Sequence, residues 1–316
     1  MTHYVEDYAM SDTRLFDDWN VQLAKTYKPG MIEQDTWLAI TQKINGVRAT
    51  YFGGGLISRT GHAIFGFDLI VNELKYLSKQ LGGNYVFDGE LRIKNRYATN
   101  MTDNEAFKIS VGIANTKRST ADKDKLKFII FDVLPLKEFT YEHSTEKYSE
   151  RLRKLKEINE IIHKDGLSNI SIVPFLYVGN DISMIEECSN TAYKEDWEGI
   201  MINLDKPYQY KRTSHLLKYK KFNTIDLQVI GFTEGTGKYE GTLGAIVCKY
   251  KDNFVSVGSG FTDEMRHQIW AFKEHYRNRL AEVKYKDITS DSTTGLESLQ
   301  FPVFMGFKTD KITPDA

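Results

Sequence analysis

Cysteine is nearly absent: Cys188 and Cys248 are the only two in 316 residues. A disulfide scaffold is thereby excluded, as is a zinc site built on thiolates. The seven histidines fall at no ligand spacing and no His-Glu-x-x-His occurs, so a dedicated transition-metal site is not expected. No apolar run reaches the roughly 18 residues of a membrane-spanning helix. The stretch from Met1 to Asp17 is acidic and aromatic, without the basic-then-apolar order of a secretory signal. The expectation is a soluble protein of a reducing cytoplasm, or of a host cytoplasm if the source is viral, with no membrane partner. An excess of either charge is also missing. With 42 basic and 43 acidic side chains the formal net charge is −1, which rules out a polybasic coat but leaves room for a local basic groove. Six prolines are scattered, and no Ser/Gly linker or fixed-period repeat is present.

Several nucleotide and hydrolase signatures fail. Gly235-Thr-Gly237-Lys238 looks like part of a phosphate loop, but Phe232 stands five before Gly237. Tyr239 follows the lysine where Ser or Thr would bind magnesium. Gly53-Gly54-Gly55 does not extend to a dinucleotide fingerprint, because Ser58 takes the third-glycine place. Gly-x-Ser-x-Gly is absent. A P-loop NTPase, a dehydrogenase and a hydrolase triad are all poorly supported.

What is there is enough apolar residue, 41%, to build cores, in a chain long enough for two domains. β-prone runs occupy Thr36–Lys43, Val47–Phe52, Tyr85–Leu91, Lys127–Val133, Ile170–Val178, Gly199–Leu204 and Leu216–Lys221. Helical spacing appears at Ile70, Leu74, Leu77 and Leu81 before Gly82-Gly83, and at Leu152, Leu155, Ile158 and Ile162 before Asp165-Gly166. Strands often follow one another directly, which predicts an α+β fold with antiparallel sheets. Beyond about Ile225 short strands are expected at Asp226–Thr233, Leu243–Tyr250, Phe254–Gly258 and Phe301–Phe307. A helix opened by Thr262 is expected to carry Met265, Ile269, Phe272, Tyr276 and Leu280 on one face. That content suits a small OB-fold β-barrel. The predicted domains are 1–223 and 224–316.

Six segments then follow in order: Lys43-Ile44-Asn45-Gly46-Val47-Arg48, Ser58-Arg59-Thr60-Gly61, Asp88-Gly89-Glu90-Leu91, Phe128-Ile129-Ile130-Phe131-Asp132-Val133, Glu198-Gly199-Ile200-Met201-Ile202 and Leu217-Lys218-Tyr219-Lys220. Each is weak alone. In this order and spacing they resemble the covalent nucleotidyltransferase superfamily of ATP-dependent DNA ligases, RNA ligases and mRNA capping enzymes. The glycine-rich stretch Gly235–Ala245 resembles the opening of a DNA ligase OB domain. Phe307-Lys308-Thr309-Asp310-Lys311 resembles the family's closing motif, with lysine in place of arginine. Asn45 departs too, standing where most members have aspartate: it keeps the shape but loses the charge.

The resemblance implies a nucleotidyltransferase adenylation domain (ATP-grasp-like) followed by an OB-fold, and a minimal ATP-dependent DNA ligase of viral or bacterial type. The closest fit is to ligases without a large N-terminal DNA-binding domain, since about 40 residues precede Lys43. It implies that Lys43 attacks the α-phosphorus of ATP. A free lysine amine has a pKa of roughly 10.4, and neighbouring cations such as Lys218, Lys220 and a bound metal disfavour its charged form. Glu198 would assist Mg2+ (or Mn2+), and Glu90 would bind the ribose or the metal. Phe131 and Ile200 would sandwich the adenine, with Thr41 or Gln42 reading its edge. Arg48 and Arg59 would hold nucleotide phosphates and the DNA 5′-phosphate. Lys308, Asp310 and Lys311 would act on the leaving pyrophosphate. The partner implied is nicked duplex DNA, bound by a monomer. An RNA ligase, a GTP-using capping enzyme and an inactive OB-fold nucleic-acid-binding protein remain as alternatives.

Overall fold

The computed structural model describes residues 16, 18–115, 120–220, 222–286, 288–291, 294–309, 311 and 313–316. Asp310 of the closing segment lies outside the described residues, as do Lys221 and most of Met1 to Asp17. The chain divides between residues 221 and 222 into two compact units.

The first unit begins with β1 (Leu23–Thr26), β2 (Leu38–Gln42), β3 (Val47–Phe52), β4 (Gly55–Ser58) and β5 (Ala63–Ile64). Helix α1 (Asp68–Gln80) and β6 (Tyr85–Ile93) follow, then α2 (Asp103–Asn115), α3 (Thr120–Lys123) and β7 (Leu126–Pro135). Next come α4 (Leu136–Thr140), α5 (Tyr148–Asp165), β8 (Ile170–Ile172), β9 (Phe175–Gly179), α6 (Met184–Lys194), β10 (Ile200–Leu204) and β11 (Arg212–Tyr219). The strands form two sheets, ordered β5-β4-β3-β6-β7-β8 and β1-β11-β10-β2-β9. Pairing is antiparallel except for β1 with β11 and β7 with β8. This is the expected α+β architecture.

The helices cover sheet faces as their periodicity requires. In α1, Ile70, Leu74 and Leu77 are all buried, and each contributes roughly 1.5–3 kcal/mol relative to exposure. They join Leu155, Ile158 and Ile162 of α5 and Phe87, Leu91 and Phe128 of the six-stranded sheet in one core. Helix α5 ends where Gly166 turns to φ 66°, a left-handed conformation that glycine adopts without strain. A second core joins Leu38, Ile40, Ile200, Ile202 and Leu217 to Ile185 and Cys188 of α6.

One run divides. The apolar run Ile170–Val178 predicts a single strand, but the segment forms β8 of one sheet and β9 of the other. Pro174 supplies the break, because its missing N–H cannot continue a ladder.

The second unit contains β12 (Asn223–Glu234), β13 (Leu243–Tyr250), β14 (Asn253–Val257), α7 (Asp263–Ala271), α8 (Lys273–Tyr276), β15 (Leu280–Tyr285), β16 (Ile288–Ser290), β17 (Glu297–Leu299) and β18 (Val303–Phe307). Its main sheet is ordered β14-β13-β12-β15-β18. Among the described residues its two edges meet at an isolated parallel bridge, Ser259 with Val303, so the barrel is OB-like rather than closed by a full ladder. Thr262 caps α7, its hydroxyl accepting from Met265 N at 3.2 Å. The helix is shorter than its apolar spacing predicts. Phe272 leaves helical geometry, Asn278 takes φ 64°, and Leu280 opens β15 instead of closing the helix. Asn278 is the signal that the spacing conceals, since Asn tolerates the left-handed turn that ends a helix.

Candidate active site

Three motif segments converge because their strands are neighbours. β10 lies between β2 and β11. Lys43 leaves the end of β2, and its N–H donates to Gly199 O at 2.9 Å. Glu198, just before β10, then receives Lys43 Nζ on Oε2 and Lys220 Nζ on Oε1. Gly199 is required here: its φ is 138°, and a Cβ would lie 2.4 Å from Tyr219 O. The carboxylate is thus clamped between two lysines that lie 22 and 155 positions away in the chain.

The other sheet supplies the facing groups through register. Arg48 of β3 pairs with Glu90 of β6, and β6 pairs with β7, which carries Phe131. Arg48 donates from Nε to Asp88 Oδ1 at 3.0 Å, from Nη2 to Asp88 Oδ2 at 2.5 Å, and from Nη1 to Gln22 O at 2.8 Å. Its guanidinium carbon lies 5.3 Å from the Phe131 ring centroid. Tyr208 donates to the same Asp88 at 2.8 Å. Next along β7, Asp132 is held by buried Arg151 at 2.7 and 3.1 Å.

One cleft in this unit is lined by Thr41, Gln42, Lys43, Arg48, Arg59, Glu90, Phe131 and Lys218, with Met201, Val173 and Leu216 among its apolar walls. The structure therefore brings together most of the residues singled out in the sequence, and Glu198 and Lys220 adjoin them through Lys43. Ile200 does not line the cleft. It is fully buried in the core beneath the five-stranded sheet, because alternation along β10 turns Ile200 and Ile202 inward and Met201 and Asn203 toward the cleft. Arg48 lines the cleft, but its donors are turned inward onto Asp88 and Gln22. Lys308 and Lys311 belong to the second unit. There Lys308 lies 3.7 Å from Asp226 and 3.2 Å from Glu282, and Lys311 lies 3.0 Å from Asp226 and also pairs with Asp315.

The electrostatics separate the two glutamates. Burial pushes the Glu90 carboxyl up to about 8, against the opposing pull of Lys43 and Arg48 and with added repulsion from Glu198. For Glu198 burial acts the same way, but Lys43 and Lys220 more than offset it and hold the group below the usual range. Lys218 is lowered, first by burial and then by Arg212 and Lys43. The two carboxyls are thus driven in opposite directions, Glu90 toward its neutral form and Glu198 toward its ionised form.

Among the described residues, no three His, Cys, Asp or Glu side chains cluster as a metal cage. Glu198, the ionised carboxylate of the pair, has both its oxygens engaged by Lys43 and Lys220.

Sequence reasoning missed Gln22, Met201, Asn203, Tyr208 and Arg212 as parts of the cleft. Gln22 immediately precedes β1, a strand too short for a periodic signal, and Arg212 opens β11, which pairs with β1. Met201 and Asn203 could have been found by applying the two-residue alternation to Gly199–Leu204.

The family model of the ATP-dependent DNA ligase domain matches residues 21–220, and that of the DNA ligase OB-like domain matches residues 234–308. The chain is 26% identical over 248 residues to a DNA ligase of Haemophilus influenzae, covering 78% of this chain and 80% of that protein. It is 24% identical over 299 residues to the DNA ligase of Enterobacteria phage T4, covering 81% of this chain and 60% of that one. Among solved structures it is similar to Pmar-Lig_Pre, with a TM-score of 0.73 and 26% identity over 93% of this chain and 68% of the other. It shares its fold with the Lig E DNA ligases, with a TM-score of 0.64 and 19% identity over 92% of this chain and 99% of the other. No described helix is long and apolar enough to cross a membrane.

Proposed function

Because this chain belongs to the ATP-dependent DNA ligase family, we propose that it seals nicks in duplex DNA through a covalent adduct of AMP with Lys43. The observation that carries the residue assignment is the clamp of Lys43 and Lys220 on an ionised Glu198, at the edge of a cleft with an aromatic wall and several cations. The likeness of both units to DNA ligases favours this over an RNA ligase or a capping enzyme.

Glu198 holds the Lys43 amine at a fixed place and is the nearest acceptor for its proton. The Lys43 nitrogen attacks the α-phosphorus of ATP: a P–N bond forms, and the bond from that phosphorus to the pyrophosphate oxygen breaks. Lys218, Arg59 and Arg212 neutralise charge on the departing phosphates. A divalent ion on Glu198 and the phosphates would withdraw further charge from the reacting phosphorus. An oxygen of the DNA 5′-phosphate next displaces Lys43, and the adjoining 3′-hydroxyl then expels AMP. Phe131 offers its ring to adenine opposite the apolar side of Met201, which takes the place expected for Ile200. Gln42 and Thr41 stand beside it to read the base edge. Glu90, neutral below about pH 8, suits donation to a ribose hydroxyl better than metal binding. Arg48 acts chiefly by stiffening the Phe131 wall, and Arg59 is the better-placed arginine for phosphate.

The test is intact mass after incubation with magnesium and ATP or GTP, followed by nicked DNA. Wild-type protein should gain the mass of AMP from ATP and lose it as strands join. Lys43→Ala should gain none; an adduct on that variant would refute the assignment. No adduct on wild-type protein under any condition would favour the inactive nucleic-acid-binding alternative.

A further inference from the structure

Asn45 leaves position 45 without the charge that its family pattern carries, and a carboxylate stands directly against it. Asn45 is 5% exposed, and its Nδ2 donates to Asp103 Oδ2 at 2.8 Å. Asp103 is the first residue of α2. Its Oδ1 pairs with Arg92 Nη1 at 2.7 Å, and the same nitrogen donates to Asn45 O at 2.9 Å. The ring is closed: Asn45 amide to Asp103, Asp103 to Arg92, Arg92 back to the Asn45 backbone. Asp103 also reaches the other half of the site, its N–H donating to Asp196 Oδ2 at 3.2 Å, two residues before Glu198. One residue thus ties the loop leaving Lys43 to the loop leading into Glu198.

We propose that Asp103 is a positioning residue for Lys43: held by Arg92, its carboxylate supplies beside position 45 the negative charge that Asn45 lacks and locks the Lys43 loop against the Glu198 loop. This rests on the reading of Lys43 as the nucleophile. The pair is chemically coupled. An amide at 45 needs an acceptor, and a carboxylate at 103 provides it. Two carboxylates at this distance would repel, and two amides would leave Arg92 with a weaker partner and turn one donor against another. Only Ile44 separates Asn45 from Lys43, so slack in this ring moves the attacking nitrogen directly. Displacements of about 1 Å at a reacting atom cost on the order of a hundredfold in rate.

The experiment compares the full-length protein with Asn45→Asp, Asp103→Asn and the double variant that exchanges the two groups. Lysyl-AMP formation is followed in single turnover across ATP concentrations, alongside thermal melting. Each single variant should form the adduct roughly ten- to a hundredfold more slowly at saturating ATP. The ATP concentration for half-saturation should stay within about threefold of wild type. The double variant should recover to within about threefold, because the carboxylate now at 45 accepts from the amide at 103, whose oxygen still accepts from Arg92. Adduct formation at the wild-type rate in Asp103→Asn would overturn the proposal. So would defects that add in the double variant, or losses of rate fully accounted for by unfolded protein. Wild-type protein that forms no adduct removes the Lys43 reading itself; a normal wild-type adduct with indifferent variants removes only the role of Asp103.

Discussion

Glu90 allows the electrostatics of the cleft to be weighed on a thermodynamic scale. Its carboxyl is pushed from 4.5 up to about 8, chiefly by burial. Between those values the folded chain keeps a proton that the unfolded chain has released, so unfolding is accompanied by proton loss and is favoured as pH rises. The contribution of Glu90 is therefore fully present below 4.5 and lost by the time pH passes about 8. At roughly 1.4 kcal/mol per pH unit, that interval caps the effect near 5 kcal/mol. Relaxation of Lys43 and Arg48 toward the ionised carboxylate, and water in the open cleft, reduce it to on the order of 2–4 kcal/mol. Glu90→Gln mimics the neutral form and removes the titration. Urea unfolding between pH 5 and pH 9 can be followed by tryptophan fluorescence, because Trp19, Trp37 and Trp197 lie in the same unit as Glu90. The variant should gain about 2–4 kcal/mol on wild type across this range. Parallel curves for the two proteins would refute the raised carboxyl and with it the assignment of Glu90 as a hydrogen-bond donor.

Three further outcomes are expected. Phe131→Ala removes the ring against which Arg48 packs and the proposed adenine platform. It should raise the ATP concentration for half-maximal adduct formation by roughly 5- to 100-fold, since a base–aromatic stack contributes about 1–3 kcal/mol; titration of adduct formation with ATP measures this. Gly46→Ala would place a Cβ 2.4 Å from Leu91 O and 2.8 Å from Glu90 Cγ. The backbone must yield, so a loss of about 1–3 kcal/mol in urea stability should accompany slower Lys43 adenylation. Arg151→Met strands Asp132 as a buried charge and should cost about 3–5 kcal/mol in the same denaturation assay. Adding Asp132→Asn should recover part of that loss.

The ordered motifs marked the cleft well because each sits at a strand end or in a strand whose period is plain. Val47–Phe52 and Leu243–Tyr250 match β3 and β13 residue for residue. What the sequence concealed is of three physical kinds. Side-chain direction was lost at Ile200, where the family resemblance implied contact with adenine but alternation points the residue into the core. Breaks masked by continuing apolar spacing were lost at Pro174 and Asn278, where single residues with restricted or left-handed backbones outweigh the pattern around them. Long-range polar partners were lost altogether. Arg151 with Asp132, and Asp103 with Asn45 and Arg92, join side chains 11 to 58 positions apart, and no motif marks Arg151, Arg92 or Asp103.

The strand that changes sheets at Pro174 has a mechanical consequence. Val173 donates to Ile130 O at 2.9 Å on one side, and Pro174 O accepts from Gln42 N at 3.1 Å on the other. Two consecutive residues thus rivet both sheets together at the floor of the cleft, where Val173 is also part of the lining. The jaws cannot spread or pinch there without breaking ladder bonds in one sheet or the other. The strand that carries Phe131 is thereby tied through Val173 and Pro174 to the strand that leads into Lys43, and any change of width between them at this point must break one of these two bonds.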